Sequence, residues 1–293
     1  MTALNLPKIR DCMVNAVREG GRLILLAQPS QSVHKEKKNN IVTETDQAVE
    51  SLVFSLLEKE YPQFDLVGEE SYVPGSSITD EPTFVLDPID GTSNFVHGFP
   101  AVCVSLALVV GKKPTIGVVY NPFLDELYTG VAGQGSFTSR GAQLPRRLPL
   151  NESPLLGLKF ACVGIEWGSD REGVNFDLNL KVFTTLARTV ATGGRFVNSL
   201  RCTGSAAITI CRVAAGQQDM FWECGCWVWD VAAAWCILHE AGGRIVDGHP
   251  GNWDPVIENR RYLAVRPATT GQEEIINEFW EVIGQDRSTY GPP

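Results

Sequence analysis

Residues 86–100 read LDPIDGTSNFVHGFP and continue an apolar run, TFVL, that has the character of a buried strand. Pro88 fixes its own φ and biases Asp87 towards extended geometry, and Gly91 permits a sharp bend. The carboxylates of Asp87 and Asp90, with the carbonyl groups between them, can therefore face one point. Oxygen ligands of this kind suit hard cations, Mg²⁺ above all. The spacing of the two acids differs from that of an EF-hand, so the stretch predicts another kind of metal site.

The residues after this bend predict an anion site. Gly91, Thr92 and Ser93 offer backbone N–H groups at a turn or helix start, a position that binds phosphate well. A carboxylate metal site beside an anion site is the equipment of metal-assisted phosphoester hydrolysis.

Two further acidic clusters stand where an apolar strand ends or a helix begins. Glu69 and Glu70 follow the run DLV closely, and Asp230 stands at the head of WDVAAAW. Acidic residues are also common in turns and at helix N-caps, so each cluster taken alone is open to a structural interpretation.

The composition is that of an ordinary globular protein. Of the 293 residues, 44% are hydrophobic and 20% charged, which suffices for one large domain or two of usual size. The net charge of −9 argues against nucleic acid as the main partner. It does not argue against a small phosphorylated substrate, because a bound metal inverts the local field.

The sequence favours a cytoplasmic protein with no membrane partner. The longest apolar run, AVCVSLALVV at 101–110, is too short to span a membrane, and the first residues lack the pattern of a secretory signal. The eight cysteines are scattered through apolar runs, which favours a reducing cytosol. The one close pair, Cys224 and Cys226, is either a metal or redox site or two packed thiols.

Hydrophobic periodicity divides the chain into two halves. Residues 1–145 combine two amphipathic helices, the second capped by Thr45, with β-rich runs typical of meandering hairpins. Residues 146–293 alternate strands and helices, which predicts a layered α/β half. The stretch GQDRSTYGPP at 284–293 is predicted to be frayed.

Five blocks of the sequence resemble the inositol monophosphatase family, in the family's order and spacing. They are NNIVTETDQAVE (39–50), GEES (68–71), LDPIDGTSNFVHGFP (86–100), GSAA (204–207) and WDVAAAWCILHEAGG (229–243). The resemblance implies the family's fold, a layered αβαβα sandwich of α/β class with the metal site between its halves. It also implies a homodimer and inhibition by lithium.

The resemblance assigns roles on the metal and phosphate side. The implied metal ligands, for two or three Mg²⁺ ions, are Glu69, Glu70, Asp87, Asp90, Asp230 and the carbonyl of Ile89. Thr92 and Glu69 would activate the attacking water, with Asp46 supporting the threonine. Backbone groups of Gly91, Thr92 and Ser93 would hold the phosphate. Direct in-line attack by water, with no phosphoenzyme, is the implied mechanism.

The alcohol side is where this sequence departs from the family pattern. Animal inositol enzymes typically carry a histidine three residues before the last metal aspartate, and Trp227 stands there in this chain. Trp227 could narrow the pocket, stack on a ring or pack at a dimer interface. The other implied alcohol-side residues are Gly204, Ser205, Ala206, Glu223 and Ser169. Glu223 could also be a plain strand-end acid, and Lys35, near the metal loop in relatives, could belong to a solvated loop.

The sequence leaves the preferred ester open. An inositol monophosphate is the first expectation, and another polyol, sugar or histidinol phosphate is the alternative. A non-catalytic binding protein should have lost at least one of the residues that carry the chemistry, and all of them are present: Glu69, Asp87, Asp90, Thr92 and Asp230. His97 and His239 are expected to be structural.

Overall fold

The computed structural model describes residues 4–27 and 44–292. The first part of the chain contains α1 (Leu6–Leu26), α2 (Glu44–Glu60), β1 (Asp65–Gly68), β2 (Thr83–Asp90), α3 (Thr92–Val96), β3 (Cys103–Val110), β4 (Lys113–Asn121), β5 (Glu126–Val131), β6 (Gly135–Arg140) and β7 (Arg146–Arg147). The second part contains β8 (Cys162–Ile165), α4 (Val174–Ala187), β9 (Ser199–Arg201), α5 (Ala206–Ala214), β10 (Met220–Cys224), α6 (Val228–Glu240), β11 (Arg244–Asp247), β12 (Arg261–Val265) and α7 (Gln272–Ile283).

The strands form two sheets of different construction. The first sheet has seven strands in the order of the sequence, β1 to β7, and it is antiparallel except for the parallel pair β1 and β2. Short hairpins join β3 to β6, as the alternating β-rich runs predicted. The second sheet has the order β11-β12-β10-β8-β9, with β8 parallel to both of its neighbours. Helical crossovers connect these parallel strands.

Three apolar cores stack these elements into five layers. One core packs α1 and α2 on the outer face of the first sheet. A second core lies between the two sheets and contains α5 and α6. The third packs α4 and α7 on the outer face of the second sheet. The order helix, sheet, helix, sheet, helix confirms the predicted αβαβα fold.

Helix α6 lies directly against the first sheet. A β-carbon added at Gly117 in β4 would lie 2.0 Å from the carbonyl oxygen of Ala233 in α6, so only glycine allows this approach. The helix that carries Asp230 is thus seated on strands of the first half. The division of the chain at residue 145 stays a prediction.

The structure corrects two local predictions. Thr45 lies inside α2, which is described from Glu44 onwards, so Thr45 is not the cap of that helix. The segment 285–292 is bonded to the second half rather than frayed: Ser288 is buried and its N–H donates to Nε2 of His249 at 3.1 Å. Side-chain partners far away in sequence supply the bonds that its local composition could not indicate. Three elements go beyond the sequence prediction: β7, β12 and α7.

Two observations bear on the environment of the chain. Within residues 4–27 and 44–292, the structure contains no helix with the length and apolar character needed to cross a bilayer. All eight cysteines lie in these ranges and carry free thiols. Cys224 and Cys226 are both buried, as the packed-thiol interpretation of the pair predicted.

Candidate active site

The bend after β2 brings two carboxylates and a hydroxyl group together. Oδ1 of Asp87 accepts the N–H of Ile89 at 3.0 Å, a side-chain turn that reverses the chain inside the strand end. Gly91 follows with a φ of +96° and begins α3, where Oγ1 of Thr92 donates to the Ile89 carbonyl at 3.1 Å. Asp87 and Asp90 are both buried. The sequence LDPIDGT thus builds one compact acidic corner.

Asp90 accepts hydrogen bonds from the second part of the chain. Its Oδ2 accepts the Ser205 hydroxyl at 2.6 Å and the N–H of Ala207 at 2.8 Å, at the start of α5. The Cys103 thiol donates to the same oxygen at 3.7 Å. Burial raises the pKa of Asp90 to about 6, although the bonds from Ser205 and Ala207 favour the charged form and lower it.

Asp230 reaches the same corner from the first turn of α6. Its Oδ2 accepts the N–H of Trp227 at 2.6 Å, and its carboxyl group lies beside that of Asp87. Burial, together with the charge of Asp90, raises the pKa of Asp230 to about 7. Two carboxylates this close repel each other when both are charged, and a cation bound between them would relieve that repulsion.

The acids after β1 complete the corner from its solvent side. Glu69 is exposed, and its N–H donates to the carbonyl of Leu86 at 3.2 Å. Desolvation and the negative charges of Asp230 and Asp46 raise the pKa of Glu69. Asp46 is buried in the first turn of α2.

Glu50 in α2 holds the loop that carries Glu69 and Glu70. Its buried carboxylate accepts the N–H of Glu70 at 3.0 Å. Gly68 lies so close that an added β-carbon would be 2.2 Å from Glu50 Oε2. Sequence reasoning missed Glu50, although an acid one helical turn after Asp46 on the same face is a usable signal.

The chemistry of this donor set fits a hard cation. The acids supply only oxygen, lie together and raise each other's pKa through like charge, which a divalent cation would relieve. As the side chains stand, no three acidic, histidine or cysteine groups of the described residues converge in a geometry that could hold a metal ion. Binding would therefore exchange some of the present hydrogen bonds for metal contacts.

Glu166 and Glu223 stand beside the loop that precedes α5. Glu166 is buried at the end of β8, and its Oε1 accepts the N–H groups of Thr203 at 2.7 Å and Gly204 at 2.9 Å. Glu223 is half-buried in β10, and burial with the nearby charge of Glu166 raises its pKa well above the usual range. Sequence reasoning missed Glu166, although it follows the run CVGI as Asp87 follows TFVL.

Asn94 ties the same loop to the first half. Its Nδ2 donates to the carbonyls of Ala101 and Thr203, each at 2.9 Å, and of Gly204 at 3.3 Å. The loop therefore has its N–H groups held by Glu166 and its carbonyls held by Asn94. Ser205 is buried, with its hydroxyl on Asp90, so a substrate contact from this loop would come from its backbone and from Ala206.

Trp227 belongs to a stack of aromatic and cationic groups. Its ring lies 5.2 Å from that of Trp229 at an interplanar angle of 15°, and 5.2 Å from that of Tyr72. On its other side the guanidinium of Arg260 lies 3.6 Å from the ring centroid. Cation–π contact of this kind holds Trp227 in place beside Asp230. Arg260 had no signal in the sequence.

The remaining predicted residues lie around this centre. Ser93 is exposed in α3, where its carbonyl binds Nδ1 of His97 at 2.8 Å, in keeping with a structural histidine. Ser169 is exposed and bonded to Tyr290. Lys35 lies outside the described residues.

The fold defines the class of protein. The structure aligns with that of an inositol monophosphatase from Anabaena with a TM-score of 0.76, covering 98% of this chain and 99% of the other at 28% identity. The two-sheet αβαβα architecture is therefore that of a phosphatase.

The chain belongs to the inositol monophosphatase family, whose model matches residues 5–284. It is 41% identical over 255 residues to inositol monophosphatase 2 of Saccharomyces cerevisiae, covering 84% of each chain. It is 35% identical over 311 residues to protein qutG of Emericella nidulans, covering 96% of this chain and 94% of the other.

Proposed function

We propose that the protein hydrolyses an inositol monophosphate to inositol and phosphate with the help of Mg²⁺. The observation that carries this proposal is that the bend after β2, with Asp87 and Asp90, and the first turn of α6, with Asp230, lie at one acidic corner, where the start of α5 also donates to Asp90. Such a corner suits a doubly negative phosphate only when cations are present. Bound Mg²⁺ supplies Lewis acidity towards the phosphate oxygens and the attacking water.

In this proposal the residues of the acidic corner have different roles in the reaction. Glu69, exposed at the rim, would bind a cation and accept a proton from the attacking water, and Thr92 would orient that water with support from Asp46. Asp87, Asp90, Asp230, Glu70 and the Ile89 carbonyl would hold the cations. Backbone N–H groups of Gly91, Thr92 and Ser93 would hold the phosphate.

The alcohol half of the substrate would meet the second half of the protein. Glu223 would accept hydrogen bonds from ring hydroxyls, beside the backbone of Gly204 and Ala206. A half-buried acid of this kind discriminates among esters, because an ester without the hydroxyls leaves it unsatisfied. The alternative substrate is another polyol phosphate, which the likeness to protein qutG keeps in view.

The test is phosphate release from a panel of esters, with Mg²⁺ and then with a chelator. The panel contains inositol 1-phosphate, galactose 1-phosphate, histidinol phosphate, fructose 1,6-bisphosphate and adenosine 3′,5′-bisphosphate. Mg²⁺-dependent preference for inositol 1-phosphate supports the proposal. Preference for another ester would leave the proposed metal-assisted hydrolysis in place and change only the proposed substrate. Equal rates of phosphate release with Mg²⁺ and with chelator would contradict the role of the metal.

Further family expectations accompany this proposal. Lithium should inhibit, because it would compete for an exchangeable cation site. The protein should act in the cytoplasm, where its eight thiols stay reduced. It should form a homodimer, and the exposed stacked pair of Trp167 and Phe183 is a candidate part of that surface. Sedimentation measurements test the dimer.

A further inference from the structure

The segment 285–292, here called the strap, lies beyond the stretch that matches the family model, which ends at residue 284. It is nevertheless firmly bonded. Besides the bond from Ser288 to His249, the N–H of Thr289 donates to Oδ1 of Asn175 at 2.8 Å, and Nδ2 of Asn175 donates back to the Thr289 hydroxyl at 2.8 Å. Arg261 donates to the carbonyl of Tyr290.

Tyr290 in the strap touches two separate loops at once. Its hydroxyl donates to Oδ2 of Asp170 at 2.9 Å and is bonded to Ser169, the residue predicted on the alcohol side. Its ring lies against Gly225, where an added β-carbon would be 3.2 Å away. Gly225 has a φ of +112°, so a side chain there would be strained as well as crowded.

The second loop leads directly to the acidic corner. Arg260 lies 5.2 Å from the Tyr290 ring and 3.6 Å from the Trp227 ring, so it is held between the two. Its backbone carbonyl accepts from Gly225 at 2.7 Å, and its Nη2 donates to the Gly225 carbonyl at 2.9 Å. The N–H of Trp227 then donates to Asp230.

We propose that Tyr290 is a positioning residue for the alcohol half of the substrate. It fixes the Ser169 loop relative to the Trp227 loop, and so it helps to decide which phosphate esters fit. This inference rests on the proposed phosphatase function. The backbone groups proposed to hold the phosphate, Gly91 to Ser93, belong to the bend after β2 and are not among the partners described for the strap.

The experiment compares wild type with Tyr290→Phe, Tyr290→Ala and the matched control Gln285→Ala, an exposed side chain of the same strap. For each protein, kcat and KM are measured on inositol 1-phosphate and galactose 1-phosphate, together with Ki for inorganic phosphate and Tm. Tyr290→Phe keeps the ring on Gly225 and Arg260 but loses the bonds to Asp170 and Ser169. Tyr290→Ala loses both.

We expect KM for the preferred ester to rise about tenfold in Tyr290→Ala and about threefold in Tyr290→Phe, because small misplacements of binding groups weaken substrate positioning. The KM ratio of the two esters should change, whereas Ki for phosphate should stay at the wild-type value. Gln285→Ala should behave as wild type throughout.

Unchanged KM values and ratios in both Tyr290 variants overturn the inference. A rise of KM and Ki by the same factor also overturns it, since that result describes general loosening rather than alcohol positioning. If wild type hydrolyses neither ester, the proposed function itself fails, which is a different outcome from an active wild type with indifferent Tyr290 variants.

Discussion

The proposed phosphate side and the proposed alcohol side of the site are built in opposite ways. Asp87, Ile89, Asp90 and Thr92 come from one continuous bend, and their mutual bonds span two or three residues. The proposed alcohol side joins Ser169, Trp227, Arg260 and Tyr290, which meet only through tertiary contacts. Chemistry that every substrate shares can be written into one short motif. Selectivity for the alcohol part of the ester would depend on several loops, each of which can change in sequence without the others.

The two sides also differ in charge. The phosphate side concentrates carboxylates that raise each other's pKa, whereas the alcohol side places the cation Arg260 between the rings of Trp227 and Tyr290. In the proposed function the first side needs cations to offset its charge, whereas the contacts of the second come from the protein itself. Substitutions and pH should affect the two sides differently.

The largest effect is expected for Asp90→Asn. Loss of the negative charge should weaken cation binding and lower kcat about a thousandfold on every ester, as removal of a central electrostatic group does. The amide oxygen can still accept from Ser205 and Ala207, so the fold should persist. The measurement is kcat at saturating Mg²⁺, with Tm as a check and Asp65→Asn, which loses an exposed acid that accepts from Thr79, as the matched control. Near-normal turnover would show that Asp90 is not a ligand.

Trp227→His should change selectivity and leave the chemistry in place. Arg260 would lose its stacking partner, and a smaller polar ring would border the pocket. We expect the ratio of kcat/KM between two esters to shift about tenfold, the size of one altered pocket contact. Trp253→His, which alters a tryptophan in edge-to-face contact with Trp280, is the control. If the ratio of kcat/KM between the two esters is the same in Trp227→His and wild type, Trp227 has only a packing role.

Without metal, the acidic corner should make stability fall as pH rises. The pKa values of Asp90 and Asp230 are raised to about 6 and 7 in the folded state, so the folded protein holds protons that the unfolded chain has released. The stabilisation is complete at acid pH and is lost as pH rises through these values. We expect Tm in chelator to drop on the order of 5 °C between pH 5 and 8. Added Mg²⁺ should flatten this slope, and a flat profile in chelator contradicts the charge cluster.

The contact between His249 and the strap should make stability depend on pH in the opposite direction, and this effect should be the smallest of the four. Burial, followed by the charge of Arg261, lowers the pKa of His249 to about 4, so the unfolded chain takes up a proton before the folded protein does. Stability should therefore fall as pH drops from about 6.5 towards 4. His249→Gln keeps an acceptor for Ser288 and does not titrate, so with Mg²⁺ present its Tm should fall about 2 °C less between pH 7 and 5. His97→Gln is the control, and identical acid slopes for wild type and His249→Gln contradict this role.

The same contrast explains what the sequence could predict. The bend after β2 could be predicted from the sequence, because proline, glycine and acids at fixed spacing determine local geometry. The layered fold followed from periodicity and from the family resemblance. Glu166 had a usable signal, an acid after a buried strand, that went unused.

Other features had no local signal. The strap looks like a polar terminus in sequence, and its order comes from His249, Asn175 and Arg261, which lie far from it along the chain. Arg260 likewise has a role only once Trp227 and Tyr290 have been brought to its two sides.

The contact between Gly117 and Ala233 has a consequence for the catalytic cycle. Backbone lies on backbone there, with no side chains between that could slide or part. Helix α6 and its Asp230 therefore cannot swing away from the first sheet without breaking the central core. We expect a cleft that is formed before the substrate arrives, so that turnover is limited by chemistry or product departure rather than by a closing movement of one half on the other.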